Sequence, residues 1–418
     1  MSLDVADEPE AALTWPTADG TRTPYRVFTD QEVYEREQER IFRGQTWSFV
    51  ALDAEIPNPG DYKATYIGDT PVVVTRGTDG ELHAWVNRCA HRGAKVCRTA
   101  RGNARDFTCI YHQWAYSPGG DLLGVPFRRG LKGMSGMPAE FDMKANGLQK
   151  LRAESYKGVV FATFRDDTES LHDYLGVEMR PWIDRIFHKP VVFLGVLRQR
   201  MSSNWKLYFE NVKDPYHGHL LHLFHNSFNI GRPNMDVANA IDARHGLHSI
   251  IVAIKSEASK DTSIYTENRV TTFRDDVRLK DTEIIRMREE FDRPVTNHIQ
   301  SIFPSLVVQQ IHNTLACRQV LPKGPGEFEL VFHLFGYADD DEELRDMRIL
   351  QANLIGPAGF ISMEDGEATE LVQAAATPDR GHHSSMLMGH GAPEGAMSLI
   401  TEELLRSFWR GYRKIMED

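Results

Sequence analysis

Cysteine is scarce in this chain: Cys89, Cys97, Cys109 and Cys317 are the only four in 418 residues. A disulfide-held scaffold needs far more, so a hydrophobic core must carry the fold, and a reducing cytoplasm is the expected compartment. Positive charge is also in deficit. Lys and Arg number 48 against 59 Asp and Glu, a formal net charge of −11. That balance argues against nucleic acid or an anionic membrane as main partner. No run of about 18 apolar residues occurs, so no membrane span is expected. The start, M-S-L-D-V-A-D-E-P-E, is acidic and lacks an apolar stretch, so no secretory signal is expected. There is neither an internal repeat nor a low-complexity tract. At 418 residues the chain can bury a large core and divide into two domains.

Residues 1–20 read as a loose acidic arm, and Gln31–Phe42 as an amphipathic helix with Asp30 as its cap. From Trp47 short β-rich runs alternate with turn signals such as Pro59-Gly60, Gly68-Asp69 and Asp79-Gly80, which predicts a small all-β unit closing at Gly158–Phe164. The second half mixes helix and strand. Helices are expected at Leu171–Phe187, Asp281–Phe291, Asp340–Leu354, Asp365–Ala375 and Ser398–Met416. Strands are expected at Val191–Met201, Ile302–Ile311, Thr314–Leu321 and Phe328–Tyr337. Residues 229–300 otherwise read as long polar loops. The division is 1–40 (an arm and helix packing on the second domain), 41–165 (the β domain) and 166–418 (an α+β domain with an antiparallel sheet covered by helices).

Two clusters carry chemistry. Asn204 to His222 reads N-W-K-L-Y-F-E-N-V-K-D-P-Y-H-G-H-L-L-H. Two imidazoles and a distant carboxylate are the usual donors for a non-haem ferrous site with open positions. The plainer alternative is a wet histidine face on a helix. His217 and His222 are five apart, about 140° on a regular helix, so they share one metal only if the helix is broken there. Pro215 supplies a reason for a break, and Asp214 could simply cap a helix starting at Pro215. The second cluster is Cys89-Ala-His91 and Cys109-Ile-Tyr-His112. Two Cys and two His suit structural zinc. One thiolate and one imidazole per loop suit a Rieske [2Fe–2S] cluster better, with two Cys on one iron and two His on the other.

These motifs, with C-A-H-R-G-A-K-V-C, C-I-Y-H-Q-W-A-Y and the later G-P-A-G-F-I-S-M-E-D-G-E, resemble the large (α) subunits of Rieske non-haem iron ring-hydroxylating oxygenases. The resemblance runs in order from about Thr21 to Met416. It is nearest the aromatic-carboxylate group: salicylate 5-hydroxylase, anthranilate 1,2-dioxygenase and terephthalate dioxygenase. It implies Cys89, His91, Cys109 and His112 as cluster ligands. It also implies His217, His222 and Asp365 as ligands of a mononuclear Fe(II), with Glu364 the competitor for the third place and His219 and His225 outside the set. No cluster-loop disulfide is implied, and Cys97 and Cys317 are expected as small buried residues.

The resemblance further implies a hydroxylase for an aromatic carboxylate, using O₂ and electrons from NAD(P)H through a flavin reductase, a ferredoxin or both. A small β subunit in an α3β3 hexamer is expected, or α3 alone. Asp214 would then bridge His112 of one subunit to His217 of its neighbour and serve catalysis. An aromatic acid needs a cation in an apolar pocket. Arg318, in the strand T-L-A-C-R-Q-V-L, and Arg406, in the last helix, are the candidates, with Gln310 and Ser362 as pocket neighbours. A Rieske-type demethylase is the alternative enzyme, and a zinc or electron-transfer module the non-enzymatic one.

Overall fold

The computed structural model describes residues 13–291, 293–392 and 398–417. The greater part of the expected arm, residues 1–12, lies outside them. The described end of the arm packs Trp15 against Trp409 and Tyr412.

Ten strands form the first half: β1 (Ser48–Leu52), β2 (Asp61–Ile67), β3 (Thr70–Arg76), β4 (Leu82–Val86), β5 (Arg101–Asn103), β6 (Phe107–Thr108), β7 (Ala115–Tyr116), β8 (Leu122–Gly124), β9 (Lys150–Tyr156) and β10 (Val159–Thr163). Seven make one sheet in the order β1-β10-β9-β4-β3-β2-β5, and β6-β7-β8 make a small second one. Two cysteine loops, β4–β5 and β6–β7, project from this framework.

The second half is built on an eight-stranded antiparallel sheet. Its strands are β11 (Val191–Met201), β12 (Asp236–Val237), β13 (Ala240–Ile241), β14 (Ser249–Ile254), β15 (Val295–Ile302), β16 (Leu306–Ile311), β17 (Thr314–Gly324) and β18 (Glu327–Tyr337). The helices are α1 (Arg26–Thr29), α2 (Gln31–Glu37), α3 (Leu171–Ile186), α4 (Trp205–Asn211), α5 (Leu223–Ser227), α6 (Ser263–Glu267), α7 (Glu342–Ile355), α8 (Ser362–Ala376) and α9 (Glu403–Glu417).

The sheet separates two packing environments, and side-chain parity assigns each residue to one. Leu306 and Val308 of β16 pack with Leu175, Met179 and Ile183 of α3, whereas Val307 packs with Trp205 and Phe209 of α4. The two halves share these cores. Val50, Val72 and Val160 of the first sheet join Trp205, Phe328 and Phe408. A buried triad crosses the same junction: Lys63 Nζ lies 2.8 Å from Glu55 Oε2, and His333 Nδ1 lies 3.2 Å from Glu55 Oε1.

The N-terminal helix is tied down by charge as well as by packing. Asp30 Oδ1 caps α2 by accepting from the Glu32 amide at 3.0 Å. Glu37, fully buried, takes Lys206 Nζ at 2.6 Å and Trp205 Nε1 at 2.9 Å, and also accepts from the Tyr412 hydroxyl. Removing one partner of such a pair costs about 3–5 kcal/mol, because the other charge is left buried alone.

Three expectations need correction. Asp281–Phe291 is not a helix: only Glu283–Ile285 makes a single tight turn. The charges that suggested a helix are spent elsewhere. Arg286 reaches Glu343 at 2.6 Å, Arg288 reaches Asp341 at 2.8 Å, and Glu290 pairs with the buried Arg348. Residues 229–300 are not only loops, since β12 to β15 lie there. Residues 249–253 of β14 are buried throughout, which erases the polar–apolar alternation that marks a half-exposed strand. Finally, the single run expected at Ile302–Ile311 contains a turn at a cis Phe303–Pro304 bond, with β15 ending at Ile302 and β16 starting at Leu306.

Candidate metal centre and its cavity

Asn204 opens α4, its Oδ1 accepting from the Lys206 amide at 3.0 Å. The helix stops at Asn211. Pro215 has no N–H and disfavours helical geometry at Asp214. Asp214 Oδ1 accepts from the Tyr216 amide at 2.8 Å, which holds the turn at Pro215. A single 3₁₀ turn, His217–His219, precedes α5. The break the spacing required is therefore present, and the rings of His217 and His222 stand 5.2 Å apart.

The third group arrives on the first turn of α8. Asp365 Oδ1 lies 3.3 Å from His217 Nε2 and 3.2 Å from His222 Nε2. One ligand atom from each of the three lies within 4.8 Å of the others. Asn211 Nδ2 donates to the same Oδ1 at 2.9 Å. Glu364 turns elsewhere and meets His222 Nδ1 at 2.7 Å, behind the ring. Asp214 Oδ2 lies 3.6 Å from His217 Nδ1, beyond a direct hydrogen bond but close enough to bias the ring.

Electrostatics sorts the four histidines. Burial opposes charge on His217, but the neighbouring Asp214 and Asp365 carboxylates outweigh it and raise its pKa to about 10. His222 is also raised, burial again being overcome, here chiefly by the Asp365 charge. His219 falls to about 4, through burial and then the neighbouring His217 charge. His225 falls well below its ordinary value, through burial and then His222. Burial pushes the Asp365 carboxyl up, yet the two raised histidines hold it well below the usual carboxylate range. Positive charge is thus favoured at the point where the two Nε2 atoms and Oδ1 converge. Two imidazoles and a carboxylate facing an open space fit a mononuclear ferrous ion.

That space is a cavity whose empty volume, mouth and open solvent included, is about 640 Å³. Val212, Ile251, Ile299, Ile311, Ile361 and Leu399 give it apolar walls. Arg318 is its one Arg or Lys among the lining residues, 3% exposed. Tyr208 Oη accepts from Arg318 Nη1 at 2.6 Å, Gln309 Oε1 accepts from Nε, and the Phe332 ring lies 5.6 Å away.

The other pocket expectations are not met. Gln310 is on the opposite face of β16, where it accepts from Arg185 at 2.8 Å and donates to the Val295 and His312 carbonyls. Strand parity gives the cavity side to Gln309 and Ile311 instead. Ser362 is spent on the Ile355 carbonyl at 2.6 Å and does not line the cavity. Arg406 is 1% exposed, so it is no solvated helix residue, but it also lies outside the cavity. It donates to the Met386 and Met388 carbonyls at 3.1 and 3.0 Å and pairs with Glu403 at 2.8 Å. Asn211, Tyr208 and Gln309 are site residues that the motifs alone do not pick out. Gln309 and Gln310 stand out together as polar residues in an apolar strand, and nothing in the sequence separates the one from the other.

The cysteine loops are built alike. Cys89 N–H donates to Ala94 O at 2.8 Å and Cys109 N–H to Trp114 O at 2.9 Å, while Gly93 N–H and Gln113 N–H return to the two cysteine carbonyls at 2.9 Å. Gly93 and Gln113 both have positive φ, 76° and 57°. Both thiols are buried and both imidazoles reach the surface side. The rings of His91 and His112 are 4.5 Å apart, and His91 stacks on Trp114 at 4.8 Å. Tyr116 Oη lies 3.2 Å from Cys89 Sγ. Two thiols on one side and two imidazoles on the other fit a Rieske cluster. All four cysteines are free and buried.

Comparison with known proteins covers both halves of the chain. Residues 46–135 match the Rieske [2Fe-2S] domain and residues 177–418 the ring hydroxylating alpha subunit (catalytic domain). The chain is 61% identical to the anthranilate 1,2-dioxygenase large subunit of Burkholderia cepacia, over 96% of this chain and 95% of that one. It is 42% identical to the terephthalate 1,2-dioxygenase terminal oxygenase component subunit alpha 2 of Comamonas sp, covering 97% and 98%. Identity to the salicylate 5-hydroxylase large oxygenase component of Ralstonia sp is 38%, covering 96% of each. The fold matches naphthalene 1,2-dioxygenase from Rhodococcus sp. with a TM-score of 0.77, at 24% identity over 94% of each chain. Among the described residues no helix is long and apolar enough to cross a membrane. The chain belongs to the ring-hydroxylating oxygenase α-subunit family and is the catalytic large subunit of a multicomponent oxygenase that works with a Rieske [2Fe–2S] cluster and a mononuclear non-haem iron.

Proposed function

We propose that the enzyme hydroxylates an aromatic carboxylate bound in the Arg318 cavity, with His217, His222 and Asp365 holding the iron and Cys89, His91, Cys109 and His112 holding the cluster. The observation that carries this reading is the convergence of three metal-binding groups on the cavity that also contains one fixed cation. The relatives named for anthranilate, terephthalate and salicylate support the substrate class. When bound, the ferrous iron supplies O₂ activation and the cluster supplies electrons drawn from NAD(P)H through a reductase or ferredoxin. The chain's own residues do the rest. Arg318, held by Tyr208 and Gln309, orients the substrate carboxylate. The isoleucine and leucine walls take the ring and exclude water. Asn211 steadies Asp365, and Glu364 steadies His222. The permanent positive charge on Arg318 disfavours the alternative of a demethylase acting on a cationic amine.

The finer assembly is part of the same proposal: a head-to-tail α3 ring, with or without a small β subunit, in the cytoplasm, in which Asp214 links the cluster of one subunit to the iron of the next. Ile110 and Tyr111, within the second cysteine loop, are 60% and 55% exposed, which supports a covered tip. Feeding the reconstituted system benzoate, salicylate, anthranilate and terephthalate under ¹⁸O₂ tests the function. A labelled hydroxylated product from at least one is expected, and NAD(P)H oxidation without any such product would refute it.

A further inference from the structure

We infer that an acidic, ferredoxin-type electron carrier docks on the basic rim at the base of the first cysteine loop, with Arg88, Lys95, Arg98 and Arg105 as the charges that steer it. The inference places the electron donor of the proposed function, and it rests on the cluster at Cys89, His91, Cys109 and His112. Residues 82–105 contain six basic residues, Arg88, Arg92, Lys95, Arg98, Arg101 and Arg105, and no acid, in a chain whose formal net charge is −11. All six are exposed. Among the described residues only Arg101 of the six pairs with a carboxylate, Glu55 at 3.8 Å. Arg98 and Arg105 have no side-chain hydrogen bond, ion pair or ring contact among the described residues, so the fold itself makes no use of them.

The local structure gathers these charges at the cluster. Asn87 closes the first cysteine loop: its Oδ1 accepts from the Val96 and Cys97 amides at 3.0 and 2.9 Å, and its Nδ2 donates to the Cys97 carbonyl at 2.8 Å. Arg88 and Arg98 therefore flank the base of the loop that carries Cys89 and His91. Arg98 precedes and Arg105 follows β5, the edge strand of the first sheet. Tyr62 on β2 ties both sides together, its Oη 2.6 Å from Thr99 Oγ1 and its ring 5.1 Å from Phe107. Lys95 Nζ donates to Tyr66 Oη at 2.8 Å, and Lys323 Nζ of β17 lies 4.0 Å from the same ring, so the positive field extends onto the second sheet. Arg92, beside His91 and 4.9 Å from the Tyr111 ring, belongs to the tip and is left out of the assignment. Charge also guards an edge strand against unwanted pairing, but either sign does that, and here only one is used. An acidic protein is repelled by most of this chain and attracted at the rim, which orients the encounter with its redox centre toward the cluster. Each encounter moves one electron: the carrier's [2Fe–2S] centre is oxidised by one electron and the Rieske cluster reduced by one, with no bond made or broken. A plant-type ferredoxin lies below the Rieske range in potential, so the transfer is downhill.

Anaerobic stopped-flow mixing of the oxidised holoenzyme with a reduced plant-type [2Fe–2S] ferredoxin, an acidic one-electron carrier, tests this without substrate or turnover. The absorbance of the Rieske cluster reports its reduction. Salt is varied from about 10 mM, where charges act over roughly 30 Å, to about 0.5 M, where they act over a few ångströms. The wild-type second-order rate constant should fall at least about tenfold over that range. Arg98→Glu/Arg105→Glu should be at least about tenfold slower than wild type at low salt and equal to it at high salt, with Arg98→Gln/Arg105→Gln between the two. Lys280→Glu/Lys414→Glu changes the net charge equally at exposed sites on other elements and should stay within about twofold of wild type. Surface changes of this kind leave the fold intact, and Tm, iron content and cluster spectrum check it. Single-turnover product formation by the pre-reduced variants should match wild type, because delivery to the cluster is then bypassed. Equal slowing in the rim and control variants, a rate independent of salt, or no reduction by the ferredoxin overturns the inference. A rim variant that changes its mass by light scattering and slows single turnover overturns it too, and gives the rim to a second copy of the chain. A missing Rieske spectrum in the wild type refutes the cluster assignment instead, and is read before any rate.

Discussion

Replacing Arg318 with alanine is the sharpest perturbation of the substrate site. The guanidinium is 3% exposed and held from two sides, by Tyr208 Oη at 2.6 Å and by Gln309. Its planar fork is presented to a carboxylate with little rotamer entropy left to lose. Hydrogen bonds to a charged group contribute about 1.5–3 kcal/mol. At about 1.4 kcal/mol per factor of ten, alanine should lower kcat/KM for an aromatic acid by about 10- to 150-fold, chiefly through KM. Lysine keeps the charge without the fork and should fall between the two. The alanine variant also leaves Tyr208 and Gln309 without their partner, at about 1–3 kcal/mol for each group left unsatisfied, so its Tm should drop. Steady-state kinetics on all three proteins, each with its Tm and iron content checked, makes the comparison. An unchanged KM in both variants would refute the assignment of Arg318 to the carboxylate.

Four further outcomes are expected. Asp365→Ala should lose the mononuclear iron while the Rieske absorbance stays, and Glu364→Ala should weaken iron retention only by about 10- to 100-fold; the reverse ranking would move the third ligand to Glu364. His112→Ala should bleach the cluster colour, and a retained Rieske spectrum would refute its place as ligand. Asp214→Asn keeps the acceptor for the Tyr216 amide but removes the carboxylate charge beside His217, so both metal sites should persist while single-turnover oxidation of the reduced cluster slows; oxidation at the wild-type rate would leave Asp214 as a cap alone. Lys213 is fully buried among Ser301 Oγ, Ser249 Oγ and the Leu247 carbonyl, and burial lowers its pKa to about 7. Between about pH 7 and 10 the unfolded chain binds this proton and the folded one does not, so stability rises with pH. Wild-type Tm should therefore climb relative to Lys213→Met from about pH 7 to 9.5, and a constant difference would count against the shift.

The metal chemistry was legible because it depends on residue types at short spacing. The break at Asp214-Pro215 was readable from proline chemistry alone, and it brings two histidines five apart to one point. The choice of Asp365 over Glu364 was not, because adjacent carboxylates at a helix start look alike until the helix is oriented. On α8 they divide the work: one meets both Nε2 atoms, the other reaches around to His222 Nδ1. The substrate wall was the least legible part. Gln310 and Gln309 differ by one position, and in a strand one position is the whole difference between the cavity and the packing against α3. No periodic signal fixes that parity in a strand buried on both faces, and all six residues of β16 are buried. Arg406 failed for a different reason: its partners, the Met386 and Met388 carbonyls, belong to a loop whose path the sequence does not foretell.

The four histidines of the 217–225 stretch join these strands of reasoning. Composition makes them equivalent, and helical spacing would pair His222 with His219 or His225 before His217. What separates them is the position of acids. Asp214 and Asp365 flank His217, while Asp365 and Glu364 flank His222. Among the described residues His219 and His225 have no carboxylate in contact, and they are pushed toward neutrality by burial and by the two charged rings. The same field that gathers positive charge at the metal point therefore keeps uncharged imidazoles beside it. A cluster that reads in sequence as one property, four histidines in nine residues, is divided by three acids into a cation site and two imidazoles held toward neutrality beside it.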